Sequence, residues 1–130
     1  MLPRIVDRAC GSAALRPWRT RAASGLRGVV VEIGFGSGTN LSAYPGEVER
    51  VLAVEPSSTA RRLAERRIER SSITVEHVEH VGLDGEALPI ADASCDGALS
   101  TFTLCTIPDV EQALAEVFRV LRPGGRFHFL

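Results

Sequence analysis

The stretch VVVEIGFGSGTN, residues 29–40, decides the fold. Val29, Val30, Val31, Glu32 and Ile33 make a β-branched run of the kind found in parallel strands buried on both faces. Gly34, Gly36 and Gly38 follow at alternate positions, where the backbone can turn sharply and approach a ligand without Cβ interference. A dinucleotide-binding loop reads GxGxxG, and counted from Gly34 its third glycine falls at position 39, which here is Thr39. That departure disfavours a pyrophosphate cradle and, with it, a nicotinamide-dependent oxidoreductase.

Downstream, strands and helices alternate. Residues 50–55 supply a second apolar strand closed by Pro56, and residues 39–44, ahead of Pro45, leave room for only a short helix between the two strands. Ser57 is the expected N-cap of a helix with Ala60, Leu63, Ala64 and Ile68 inside and Arg61, Arg62, Glu65 and Glu69 on a solvated face. A third strand is expected over residues 73–81, but it contains a tandem duplication, Glu76-His77-Val78 and Glu79-His80-Val81. An odd shift exchanges the faces of a strand, so the second copy is assigned to a bulge or a lengthened loop.

Asp96 opens a fourth strand running to Thr101. Asp109 and Gln112 then form a capping box for a helix with Leu114, Val117, Phe118 and Leu121 on one stripe. Pro123-Gly124-Gly125 stops that helix, and residues 126–130 begin a fifth strand. This alternation specifies a parallel α/β sheet with helices on both faces.

Length and charge bound the function. A chain of 130 residues is one domain, well below the roughly 250 residues at which chains divide. Fifteen basic against sixteen acidic residues leave a net charge of −1, so no global field captures a polyanion, and no nucleic-acid partner is expected. No apolar run reaches the roughly 18 residues of a membrane span and no secretory h-region is seen, so the expected location is cytoplasmic, without stable membrane insertion. The absence of lysine excludes a Schiff-base mechanism. Cys10, Cys95 and Cys105 are odd in number and lack CxxC spacing, so buried free thiols are expected. His77 and His80 stand at HxxH spacing, but that spacing suits a helix face rather than a strand, and no metal site is expected.

In an open parallel sheet, ligands bind beyond the carboxyl ends of the strands. The glycine loop is one such place. Glu55, at the tip of the second strand, can accept hydrogen bonds from both hydroxyls of a ribose. Asp84, in the loop after the third strand, can accept from an adenine amino group while a neighbouring backbone N–H donates to a ring nitrogen.

Taken in order, VVVEIGFGSGTN (29–40), LAVEP (52–56), LDGEALPIADASCD (83–96) and FRVLRPGGRFHF (118–129) resemble the motifs of class I S-adenosylmethionine-dependent methyltransferases. The resemblance looks closest to the small-molecule branch with quinone-biosynthesis enzymes, and TLCTIPD (103–109) resembles the group with alkyl-thiol methyltransferases. It implies a Rossmann-like, doubly wound, three-layer αβα sheet truncated after the fifth strand, with S-adenosyl-L-methionine as cofactor.

Carried over by position, the resemblance assigns Gly34, Phe35, Gly36 and Gly38 to the loop against the methionine part, with Glu32 beneath. Glu55 is assigned to the ribose, Asp84 and the Gly85 N–H to adenine, and Ser100 and Thr101 to the methionine amino end. Asp96 and Pro123-Gly124-Gly125 match structural positions. The sulfonium activates the methyl group, so the protein's task is to align an acceptor in line with the S–CH₃ bond, and no obligatory catalytic residue is implied. Methyl transfer to a small-molecule acceptor (a thiol, phenol or quinol) is the expected function. The alternative is a non-catalytic cofactor-binding or interaction remnant, because such domains normally carry seven strands. The base-amino signature is absent after strand four, where Ser100-Thr101-Phe102-Thr103 stands.

Residues 1–27 carry six arginines against Asp7 alone, and residues 71–118 carry nine acids and no base. The expectation is therefore a basic helical lid over residues 1–27, made of two short helices interrupted at Gly11 and Pro17, on a core of residues 28–130 incomplete at the C-terminus. A transit-peptide reading is set aside because Pro17 and Trp18 break the amphipathic pattern. Weak association with anionic membrane surfaces and self-association through an exposed fifth strand are further expectations.

Overall fold

The computed structural model describes Ile5, Ala9, residues 12–70, Val75 and residues 77–130. Cys10, Gly11, Asp7 and the start of the third-strand segment, Glu76 included, lie outside the described residues. Helix α1 spans Arg16–Ala23, followed by β1 (Gly28–Ile33), β2 (Val48–Val54), α2 (Ser58–Arg70), β3 (His77–Gly82), β4 (Cys95–Ser100), α3 (Val110–Val120) and β5 (Leu121–Phe129). The five strands are parallel in the order β3-β2-β1-β4-β5.

Apolar side chains alternate to both sides of this sheet, as the β-branched runs require. Val30, Val51, Ala53 and Leu99 pack on one face with Ala23, Leu26, Tyr44 and Ala64, whereas Val31, Ile33, Leu52, Val54 and Ala98 pack on the other with Val117 and Val120. Helices α1 and α2 thus share one face and α3 covers the other. Because the chain builds β2 and β3 on one side of β1 and then crosses to build β4 and β5 on the other, the sheet reverses winding between β1 and β4, where open α/β sheets hold ligands.

Several local expectations change. Pro17 does not interrupt a helix; it stands in the first turn of α1, where its missing N–H has no intrahelical bond to lose. Residues 39–44 form consecutive turns and no helix, closed by Leu41 N–H to Gly38 O at 3.1 Å and Ala43 N–H to Asn40 O at 2.8 Å. Of the two alternatives for the second duplicated copy, the bulge holds and the lengthened loop does not: Glu79 and His80 pair with Leu52 and Ala53, and Val81 is the extra residue ahead of the Val54–Gly82 pair.

The stripe read on α3 is also rotated. Ala113, Val117 and Val120 are buried, while Leu114 is exposed and Phe118 is 84% exposed. Arg119 and Glu116 set this rotation: Arg119 donates to Leu88 O, Ile90 O and Asp92, and Glu116 accepts from Leu88 N–H, which ties the helix to the loop after β3. Asp109 caps α3 through Gln112 N–H at 3.0 Å, but the box is not closed, because the Gln112 amide donates to Glu86 O instead. Pro123-Gly124-Gly125 forms a bulge inside β5, which pairs with Cys95 at Leu121 and with Gly97 only at Arg126.

Asp96 holds this region together. One carboxylate oxygen accepts from Val29 N–H at 2.8 Å and the other from Arg122 at 2.7 Å, and the Val29 bond leads the effects that hold its pKa below the usual carboxylate range. Cys95 is buried as expected, whereas Cys105 is exposed on a short 3₁₀ turn. Among the described residues no helix is long and apolar enough to cross a membrane, and no group of side chains could hold a metal ion.

Candidate cofactor cleft

The carboxyl ends of β1, β2, β3 and β4 open on a cleft of about 770 Å³, inside the usual range for small-molecule sites. Its wall is the loop after β1. Gly34 at φ +75° lies against Thr103, whose side chain occupies the space a Cβ would need, so only glycine lets these two loops meet. Gly36 at φ +59° faces open space, its nearest neighbour for an added Cβ being Gly34 O at 3.9 Å, and so presents bare backbone to the cleft. The Gly36 N–H donates to Glu55 Oε2 at 2.8 Å, and the Ser57 N–H donates to Glu55 Oε1 at 2.9 Å. These bonds fix the carboxylate at the cleft wall, and each oxygen retains a second lone pair for a ligand hydroxyl.

Of the ten residues assigned from sequence, Gly34, Phe35, Gly36, Glu55, Asp84, Gly85 and Thr101 line this cleft. Asp84 is exposed and its Oδ1 accepts from Glu86 N–H at 2.8 Å, an Asx turn that shapes the loop. Gly85 packs its backbone against Ile33, leaving 2.9 Å to an added Cβ. Phe35 lines the cleft with its ring otherwise sunk in the core, edge-on to His80. The remaining three, Glu32, Gly38 and Ser100, lie outside the lining. Gly38 turns the loop over Leu41, and the Ser100 hydroxyl donates to Ile33 O at 3.1 Å, joining β4 to β1.

Glu32 lies beneath the glycine loop, behind the cleft wall. It is 1% exposed, accepting from Tyr44 Oη and from Asn40 Nδ2, each at 2.6 Å. Burial pushes its carboxyl up to about 7 against the opposing pull of those bonds, and it pushes Tyr44 up as well, so Tyr44 remains a donor. Asn40 extends the network, donating to Thr101 Oγ1 at 3.0 Å and accepting from Arg19 Nη1 at 2.7 Å. Arg19 also donates to Thr101 Oγ1 at 3.0 Å, and its guanidinium lies 5.3 Å from the ring centre of Phe102.

Sequence reasoning passed over Arg19, Asn40, Tyr44 and Phe102. Nothing local distinguishes Arg19 from its five neighbouring arginines, whereas Asn40 carried a signal: its amide can both donate and accept, and it follows closely on a glutamate inside an apolar strand. Arg61 was assigned to a solvated face, yet it is half-buried and donates to Glu55 O at 2.7 Å.

A family model described as a methyltransferase domain matches residues 31–129. The chain belongs to the methyltransferase-domain family. Among curated relatives it is 33% identical over 102 residues to the thiol S-methyltransferase TMT1A of Homo sapiens, covering 78% of this chain and 41% of that one. It is 33% identical over 118 residues to the ubiquinone/menaquinone biosynthesis C-methyltransferase UbiE of Klebsiella pneumoniae, covering 85% and 47%. The chain therefore spans less than half the length of these relatives. In fold it matches the solved YcgJ protein of Bacillus subtilis at a TM-score of 0.75 and 26% identity, over 91% of this chain and 50% of that one.

The small-molecule branch of class I is the branch these relatives represent, and the sheet is the Rossmann-like α/β sheet of that class. S-adenosyl-L-methionine is its cofactor, and the residues present fit it: an anchored carboxylate at a strand tip, a bare glycine backbone and a cleft of suitable volume occur together.

Proposed function

We propose that this domain binds S-adenosyl-L-methionine in the cleft at the ends of β1–β4 and takes part in methyl transfer to a small-molecule acceptor of the thiol, phenol or quinol class. The observation that carries the reading is the meeting of Gly36, Glu55, Asp84 and Gly85, from three separate loops, around one cleft. When bound, the cofactor supplies a methyl group already activated by its sulfonium. The chain's own residues position and exclude water: Glu55 receives ribose hydroxyls, Asp84 and the Gly85 N–H receive adenine, and the Gly34–Gly36 backbone lies along the methionine part.

Beyond that, Phe102, Ile107, Pro108 and Leu83 give the cleft an apolar wall that suits an uncharged or aromatic acceptor. Orientation rather than proton abstraction is what such a wall provides, which favours an acceptor that is itself a good nucleophile. Residues 1–27 act as a lid, with Arg19 reaching the cleft from α1 and Trp18 half-exposed beside it. A cytoplasmic location accords with this reading.

Calorimetric titration with S-adenosyl-L-homocysteine tests it, with Trp18 fluorescence as a second readout. Binding is expected, and the Glu55→Ala, Asp84→Ala double variant should lose at least about tenfold in affinity through its missing hydrogen bonds. Unchanged binding by that variant would sink the assigned site, and tight NAD binding without homocysteine-analogue binding would replace the function. Methyl transfer to one member of a thiol, phenol and quinol panel separates an enzyme from a cofactor-binding remnant.

A further inference from the structure

Two described residues other than glycine hold a left-handed backbone, Ala93 at φ +49° and Phe102 at φ +56°. Of the two, only Phe102 borders the cleft. A side chain in that region strains against its own backbone, and glycine or asparagine would hold the same turn at less cost. Such strain persists where the surroundings impose it, and it gathers at functional sites. Here the Phe102 N–H donates to Leu130 O at 2.7 Å, the Leu130 N–H donates to Ser100 O at 3.0 Å, and the Thr103 hydroxyl donates to Thr101 O at 3.0 Å. Those bonds pin the turn on both sides of Phe102. Core packing does not reward it, because the side chain stays 41% exposed.

The turn sets where the ring stands. The Arg19 guanidinium lies over one face, 5.3 Å from the ring centre, and is itself held by Asn40 and Thr101. The exposed remainder of the ring borders the cleft together with Thr103 and Ile107. Phe35, the other aromatic ring among the described lining residues, is 1% exposed and packed edge-on to His80, so it has no face to offer.

We propose that Phe102 determines acceptor specificity by stacking on a planar ring, which narrows the acceptor to one whose nucleophile is borne on an aromatic ring. This rests on the proposed methyl-transfer reading and goes further by naming its substrate class. A cation over one face draws electron density from the Phe102 ring, which leaves the opposite face suited to the electron-rich ring of a phenol or quinol. Held by its strained turn, the ring is preorganised and loses little freedom when an acceptor arrives. A saturated molecule of equal size gains only contact area there.

The test titrates naphthol and decalol, its fully saturated counterpart, into the full chain saturated with S-adenosyl-L-homocysteine, by calorimetry. Both ligands carry one hydroxyl on the same fused-ring skeleton, and their different hydration cancels when wild type and variant are compared as a ratio of affinities. Phe102→Leu keeps an apolar side chain without a π face, so it should weaken naphthol about 2- to 10-fold more than decalol, and Phe102→Tyr should keep the wild-type ratio.

Equal weakening of both ligands in Phe102→Leu would overturn the proposal in favour of a plain apolar wall, as would an unchanged ratio. Ring-current shifts of bound naphthol protons to higher field, read by NMR on the wild type, need no variant to fold; bound naphthol without them overturns the proposal. A wild type that binds S-adenosyl-L-homocysteine but not naphthol overturns it while leaving the cofactor reading intact. Absence of S-adenosyl-L-homocysteine binding overturns both.

Discussion

Glu32 and Glu55 end adjacent strands, one pointing beneath the glycine loop and the other facing the cleft, and their surroundings are opposite. Glu32 is sealed from solvent and satisfied by two side chains, Tyr44 and Asn40. Glu55 is held by two backbone N–H groups, from Gly36 and Ser57, and reaches the cleft. Side-chain partners make a carboxylate part of the packing, since removing it strands buried donors. Backbone partners fix its position and leave its second lone pairs for a ligand. Two acids that look equivalent in sequence therefore divide into a structural one and a presented one.

The largest expected effect follows from Glu32. Glu32→Ala strands the Tyr44 hydroxyl and the Asn40 amide and should lower stability by about 2–4 kcal/mol in urea denaturation. A loss below about 1 kcal/mol would break the distinction between the two acids. The same group gives a pH signature. Its folded pKa of about 7 lies above the ordinary 4.5, so the folded state holds a proton that the unfolded state releases, and the Glu32 contribution falls as pH rises from about 4.5 to 7. That slope should be missing from Glu32→Gln, measured alongside the wild type at each pH.

Glu55→Gln should act chiefly on binding. The backbone N–H groups of Gly36 and Ser57 meet different oxygens, so the amide keeps one anchor and turns its NH₂ toward the other N–H. A stability loss of about 1 kcal/mol, smaller than that of Glu32→Ala, is expected while affinity for S-adenosyl-L-homocysteine falls by about tenfold. A large stability loss with intact binding would invert the comparison.

The smallest effect concerns His80, whose ring nitrogens are both buried without a hydrogen-bond partner among the described residues and whose pKa is lowered by desolvation. The unfolded chain then takes up a proton that the folded one resists, so this contribution weakens as pH falls below about 6.5. It opposes the Glu32 slope in the same window. His80→Leu should remove the acid-side loss and sharpen the Glu32 signal, and an unchanged acid profile would show that His80 is hydrated.

The strand runs and the three loops that meet at the cleft were legible because β-branched segments end abruptly at Gly34, Pro56 and the Asp84-Gly85 pair, which are local signals. The helix after β1 was misread because Asn40 and Tyr44 are committed to Glu32, a tertiary demand that turns satisfy and a short helix does not. Of the stripe expected for α3, Val117 is buried, but Leu114 and Phe118 are exposed and Leu121 already belongs to β5; the buried set of Ala113, Val117 and Val120 has the same helical spacing, turned to a neighbouring face. Periodicity cannot choose between those faces; Arg119 chooses by clamping a loop near residue 90. Arg19 was invisible for a similar reason, since its partner Thr101 lies 82 residues away.

The central position of β1 bears on how the chain reaches this fold. One edge of β1 is paired by β2 soon after it in the sequence, but the other waits for β4, whose Asp96 carboxylate meets the Val29 N–H across 67 residues. Long loop closure comes before the contacts that reward it, and sheets built from such distant pairings fold slowly. During synthesis on the ribosome, Val29, Val30 and Val31 therefore emerge well before their second neighbour exists. Until residues 95–100 follow, the most apolar strand of the molecule presents an open edge, the interval in which a chaperone or a second nascent chain competes with β4 for the same hydrogen bonds.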